Sequence, residues 1–156
     1  MARVLLPLPD HDFDVTEVAV PWQLLREAGH EVVFATESGA AGAPPAADPL
    51  LLTGVLFGQL GAADEPKRFY AEMIASDEYL HPIAWSAIEP SSYDGLLLPG
   101  GHAPGMRQYL GSLLLQSKVA SFWALKRPVG AICHGVLVLA RTQEAGGRSL
   151  LQVQRT

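Results

Sequence analysis

The stretch Val129-Gly130-Ala131-Ile132-Cys133-His134-Gly135 decides the fold. Pro128 precedes a short apolar run that ends in the only cysteine of the chain, and a second apolar run, Val136 to Ala140, begins directly after Gly135. A β-strand that turns sharply into a helix reads this way. Cys133 would sit at the turn in a tight, strained conformation, with its sulfur projecting from the end of the sheet. Ala131 and Gly135 keep bulk away from that turn. This is a nucleophile elbow with cysteine in the place of serine. The helix start behind it predicts a thiolate-favouring site, with a pKa below the roughly 8.5 of a free thiol. A lone cysteine in an apolar run is more often a small buried hydrophobe; the adjacent His134 and the strand-turn-helix context favour catalysis.

Upstream of the elbow, Tyr93-Asp94-Gly95-Leu96-Leu97-Leu98 reads as a buried strand that ends in Pro99-Gly100-Gly101-His102-Ala103-Pro104-Gly105. Paired glycines at the carboxyl end of a strand let backbone N–H groups face a ligand. The spacing is neither a dinucleotide fingerprint nor a phosphate-binding P-loop. Between this loop and the elbow, Met106 to Lys126 contains a helix with Leu110, Leu114, Val119 and Phe122 among its buried positions. Arg3 to Leu8 is the first strand. The spacing of Val18, Trp22, Leu25 and Ala28 predicts a helix over 15–28, closed by Gly29 and interrupted by Pro21, with Glu17 in its first turn. His30 to Thr36 is the second strand, completing a βαβ unit. Ser38 to Ala63 is a long Ala-, Gly- and Pro-rich excursion with a short helical piece at Leu50 to Leu52. Pro66 to Ser76 is helical, with Phe69, Met73 and Ile74 inward, and Trp85 and Ile88 pack the excursion back on the body.

The 156 residues suit one α/β domain with a mostly parallel sheet, the elbow following its fourth strand. Hydrophobic residues at 49% and charged residues at 17% fit a compact protein. A net charge of −5 argues against general nucleic-acid binding. One cysteine leaves no internal disulfide and no multi-cysteine zinc site, which suggests a reducing, cytoplasmic setting. No run approaches the roughly 20 apolar residues of a membrane span. In an open parallel sheet, ligands bind beyond the carboxyl ends of the strands. Glu17, the Gly100-Gly101-His102 loop and Cys133-His134 all fall there, and together they make a candidate site.

These pieces resemble the ThiJ/PfpI family of the class I glutamine amidotransferase-like superfamily. The resemblance rests on Asp94 to His102, on Ala131-Ile132-Cys133-His134-Gly135, and on Glu17 ahead of Pro21-Trp22 and Leu24-Leu25. It implies a flavodoxin-like three-layer sandwich, often dimeric, so a homodimer or other self-association is expected. It also implies that Cys133 is the nucleophile and that Glu17 shares a proton with the sulfur. His134 would be the base of the protease and glyoxalase branches, the N–H groups of Gly101 and His134 the oxyanion hole, and Gly100 and His102 the substrate loop. No metal or cofactor is implied. In the glyoxalase branch a downstream carboxylate orients the histidine, and here the only acid after His134 is Glu144. Family members continue beyond the point at which this chain stops, so the closing part of the fold is expected to be missing and the last strand to present an exposed edge.

The expected activity is that of a cysteine-dependent hydrolase or a glyoxalase III-like lyase acting on a small carbonyl or amide substrate. The alternatives are a non-catalytic redox sensor or holdase chaperone, and an inactive fragment.

Overall fold

The computed structural model describes residues 1–54 and 59–152. Positions 55–58 of the Ala- and Gly-rich excursion and the last four residues lie outside them. The elements run β1 (Arg3–Pro7), β2 (His11–Phe13), α1 (Val15–Glu27), β3 (Glu31–Thr36), β4 (Ala46–Ala47), α2 (Pro49–Thr53), α3 (Asp64–Met73), α4 (Asp77–Leu80), β5 (Ile83–Ala84), β6 (Gly95–Leu98), α5 (Met106–Gly111), α6 (Leu113–Ala124), β7 (Val129–Ala131) and α7 (Val136–Arg141). The main sheet has the order β5-β3-β1-β6-β7, and every pairing is parallel. Strand order reverses at β1, as in a doubly wound sheet. Right-handed crossovers then set α1, α3 and α4 on one face and α5, α6 and α7 on the other. This is the α/β flavodoxin-like sandwich expected from the sequence, except that the elbow follows the fifth strand of the main sheet and not the fourth, because the two-residue β5 adds to the edge of β3.

Alternation along the strands shows which face each layer covers. Leu6 and its partner Phe34 are buried beneath α1 and α4, where the Phe34 ring meets Tyr79 edge-on at 5.3 Å. Leu5, Leu96 and Leu98 are buried on the opposite face with Leu115, Val119 and Phe122 of α6. Trp22, Trp85, Tyr79 and Tyr109 are the largest enclosed side chains. Trp22 donates from its indole nitrogen to Glu78 at 3.0 Å, and Trp85 donates to the Ala35 carbonyl at 3.1 Å. Each polar end of a buried indole is therefore satisfied.

Several local expectations change. A second, two-stranded parallel sheet joins β2 to β4, and it fastens the excursion to the loop after β1. The helical stretch after the glycine loop is two helices, not one. Ser112 leaves the helical conformation and caps α6 by accepting from Leu115 N–H at 3.1 Å. That break rotates the register, so Leu115 is buried and Leu114 is exposed. Ile74 ends α3 as its C-cap and is 40% exposed, whereas Met73 is enclosed. Ala28 likewise caps α1 in an exposed position. Trp85 and Ile88 do pack inward.

Candidate functional site

The site lies where α1, the loop after β6 and the turn after β7 converge. Cys133 has φ +50°, a left-handed conformation that costs a non-glycine residue energy and is held by its surroundings. Gly135 makes the turn possible. A methyl group added there would collide with the Leu98 carbonyl oxygen and lie 2.7 Å from that of Pro99. The elbow thus presses directly on the end of β6, and the sulfur is left exposed above it.

Glu17 reaches the sulfur because Asp14 starts α1 there. The Asp14 carboxylate accepts from the N–H groups of Thr16 at 2.8 Å and Glu17 at 3.1 Å. In a capping box the acid three residues on would reach back to the cap's own N–H. Here Asp14 N–H donates to the Gly100 carbonyl at 2.9 Å, and Glu17 Oε2 accepts from Gly100 N–H at 2.7 Å. Gly100 thus exchanges two hydrogen bonds with the start of α1. A methyl group on Gly100 would stand 2.7 Å from the His134 nitrogen and 2.9 Å from Glu17 Oε2, so only glycine lets the three segments meet.

Cys133 Sγ lies 3.3 Å from Nδ1 of His134, and Gly100 sets the Glu17 carboxyl against the same turn. The backbone N–H of His134 also faces the sulfur. Burial pushes the Glu17 carboxyl above its ordinary value, against the opposing pull of the Gly100 N–H. The Cys133 thiol is also pushed up, first by burial and then by the negative charge of Glu17, which together outweigh the His134 N–H. This corrects the expectation of a lowered thiol pKa. The helix behind the elbow is only the six residues of α7, preceded by a 3-10 turn, and the charge of Glu17 adds to the effect of burial.

The structure brings together Cys133, His134, Glu17 and Gly100 as the sequence predicts. The Gly101 N–H makes no hydrogen bond among the described residues. His102 is exposed and lines a cleft of about 170 Å³ with Gly101, Arg107, Leu110 and His134. Arg107 was not foreseen, because it sits in the first turn of α5 with no motif around it. No carboxylate hydrogen-bonds or ion-pairs with the His134 ring among the described residues, and Glu144 is instead turned toward Arg148, at 3.8 Å. The loop carrying His102 is pinned from below, since Asp12, itself at φ +72°, accepts from Gly105 N–H at 2.7 Å.

This architecture recurs in known proteins. An uncharacterized protein of Schizosaccharomyces pombe is 33% identical over 140 residues, which are 88% of this chain and 50% of that protein. Protein/nucleic acid deglycase 2 of Escherichia coli is 28% identical over 155 residues, 99% of this chain and 73% of the relative. Among solved structures, glyoxalase III of Candida albicans superposes with a TM-score of 0.66 at 18% identity, covering 96% of this chain and 64% of the other, and so shares the fold. The chain spans about half the length of the fission yeast relative. The description "ThiJ/PfpI family-like" matches residues 8–156, nearly the whole sequence, and the chain belongs to the ThiJ/PfpI family.

Proposed function

We infer that Cys133 adds to the aldehyde carbon of a small 2-oxoaldehyde, and that the product is the corresponding 2-hydroxy acid. The observation that carries this reading is the sulfur beside two proton carriers: His134 Nδ1 lies 3.3 Å away, and the Glu17 carboxyl, anchored on Gly100 N–H, lies against the same turn. In the first step the Sγ–C bond forms, the carbonyl π pair moves to oxygen, and the thiol proton passes to Glu17. A carboxyl with a raised pKa is suited to taking and returning a proton near neutrality. The N–H groups of Gly101 and His134 are the donors available to the oxyanion. Glu17 then returns that proton to the oxyanion, and His134 removes the proton from the former aldehyde carbon and delivers it to the neighbouring carbon, while the new hydroxyl's proton moves to the second oxygen. The resulting thioester is hydrolysed by water, which releases the hydroxy acid and restores Cys133. Relatives named as a deglycase and a glyoxalase support carbonyl chemistry of this class.

Amide hydrolysis by Cys133 would share the first step but needs a proton delivered to a leaving amine. The test is conversion of methylglyoxal to lactate. Wild-type protein should turn over, and Cys133→Ser should abolish turnover. His134→Ala should lower kcat by about 10²–10⁴. A wild-type protein whose Cys133 is alkylated by iodoacetamide but which forms no lactate would overturn the reading.

A further inference from the structure

The cleft of about 170 Å³ beside the elbow is walled by Gly101 and His134, the two residues whose N–H groups are available to the oxyanion. His134 Nδ1 is the atom 3.3 Å from the Cys133 sulfur. The rest of the wall comes from the His102 loop and from Met106, Arg107 and Leu110 of α5. The volume is below the roughly 300–1,000 Å³ of sites for drug-sized ligands, and it suits a molecule of few heavy atoms. No carboxylate lines it among the described residues, and its one permanent charge is the Arg107 guanidinium. That arginine differs from the others. Arg3, Arg26, Arg68 and Arg148 face carboxylates, and Arg127 and Arg141 donate to backbone carbonyls. The Arg107 side chain has neither kind of partner among the described residues, although the protein carries a net charge of −5. The short helix that bears it is fastened at both flanks. Gln108 donates to the Asp10 carboxylate at 2.8 Å and accepts from Asp10 N–H at 2.9 Å, and Arg141 donates to the Leu110 carbonyl at 2.9 Å. Met106 and Tyr109 are enclosed beneath it. An exposed, unpaired guanidinium is thus held on a fixed frame in the wall of a small cleft that it shares with His134.

We propose that Arg107 sets the substrate class of this site: it binds a carboxylate or phosphate at the end of the 2-oxoaldehyde away from the aldehyde, so that the preferred substrate is an anion. This rests on the reading of Cys133 as the nucleophile toward 2-oxoaldehydes, but its test does not require turnover. With the reacting oxygen at the Gly101 and His134 N–H groups, the remainder of a short substrate has this cleft to enter. Met106 and Leu110 offer its connecting carbons an apolar wall, and the guanidinium fork can donate two parallel N–H bonds to its anionic end. A neutral 2-oxoaldehyde such as methylglyoxal reaches the same sulfur without that contact.

Iodoacetate and iodoacetamide test this directly. Both alkylate Cys133 by the same displacement of iodide, and they differ in that only the first carries a carboxylate. The quantity to measure is the ratio of their rates at Cys133, so that any general change in thiol reactivity cancels. Arg107→Gln should lower the iodoacetate-to-iodoacetamide ratio about tenfold, the loss of one charge-assisted hydrogen bond. Arg107→Lys should retain much of the ratio, because the charge remains without the fork. Arg68→Gln makes the same change in net charge from α3, on the other face of the sheet, and should leave the ratio at the wild-type value. An Arg107→Gln ratio equal to the wild type's, or an equal fall in Arg68→Gln, would overturn the proposal. Lactate formation from methylglyoxal with an unaltered ratio would remove the anion subsite and leave the 2-oxoaldehyde reading in place. A lowered ratio without lactate formation would keep the anion subsite and overturn the 2-oxoaldehyde as its substrate.

Discussion

On the face that carries α1, the two halves of the sheet are treated differently. Over β1 and β3, Leu6 and Phe34 are enclosed, and α1 lies across them with Trp22 driven into the core. Over β6 and β7 the same face is open. Leu97, opposite Gly130, is only partly buried, and with Val4, Pro21, Leu24 and Leu25 it lines an apolar cleft of about 420 Å³. Leu24 is 57% exposed. Among the described residues β7 pairs with β6 alone, so its other edge is free. Leucines of equal hydrophobicity thus have opposite fates, decided by which helix crosses above them. The candidate site lies on the seam, with Glu17 supplied by the covered half and Cys133 by the open one.

The largest expected difference is in stability. Phe34→Ala in the covered half should cost about 3–5 kcal/mol in urea unfolding, whereas Leu97→Ala should cost about 2 kcal/mol, the low end for a leucine, because part of Leu97 stays in contact with water. Similar losses at the two positions would show that the open half is as well packed as the covered one. At the seam, Gly135→Ala forces its methyl into the Leu98 carbonyl and should destabilise by about 1–3 kcal/mol. It should also lower alkylation of Cys133, which reports whether the elbow depends on that contact. On the open face, Leu24→Lys and Leu97→Lys should reduce self-association in sedimentation and ANS binding, with a change in folding stability of about 0.5 kcal/mol or less for the exposed Leu24. Unchanged association would remove this face as the sticky surface.

The smallest effect concerns pH. The Glu17 carboxyl is raised in the folded protein, so the folded state binds its proton more tightly than the unfolded chain does. The corresponding stability is fully present in acid, below the ordinary carboxylate pKa, and is lost as pH rises through the raised value. Glu17→Gln keeps an oxygen for the Gly100 N–H and carries no charge. The variant should therefore gain on the wild type toward neutral pH and draw level with it in acid, as thermal unfolding at several pH values would report. A constant difference across that range would mean that Glu17 is not held above its ordinary value.

The covered half was largely legible in the sequence. Arg3 to Leu8, His30 to Thr36 and the helix between them announce themselves by hydrophobic runs, a cap and a closing glycine, and the strand at Tyr93 to Leu98 and the elbow are as clear. The short elements were not legible. β4 and β5 have two residues each, too few to display alternation, and they exist because a neighbouring strand offers an edge. The break at Ser112 was hidden because serine is tolerated inside helices as well as at their starts. At the site, Cys133, His134, Glu17 and Gly100 were readable from motif and from position after a strand. Arg107 was not, because a helix residue acquires its role from what the helix packs against. The direction of the shift at the Cys133 thiol was misjudged for a related reason: the short helix behind it was visible in the sequence, but the burial of the thiol and the nearness of Glu17 are set by tertiary packing.

Gly100 gives and receives one hydrogen bond at the start of α1, and one of these ends on the carboxyl that also faces the sulfur. An experimenter who replaces Glu17 by alanine therefore alters two quantities at once: the proton inventory around Cys133 and the anchorage of the loop that carries Gly101 and His102. Loss of activity in that variant is uninterpretable alone. Glutamine preserves the anchorage and changes only the proton, so the ratio of the two variants separates chemistry from architecture at this position.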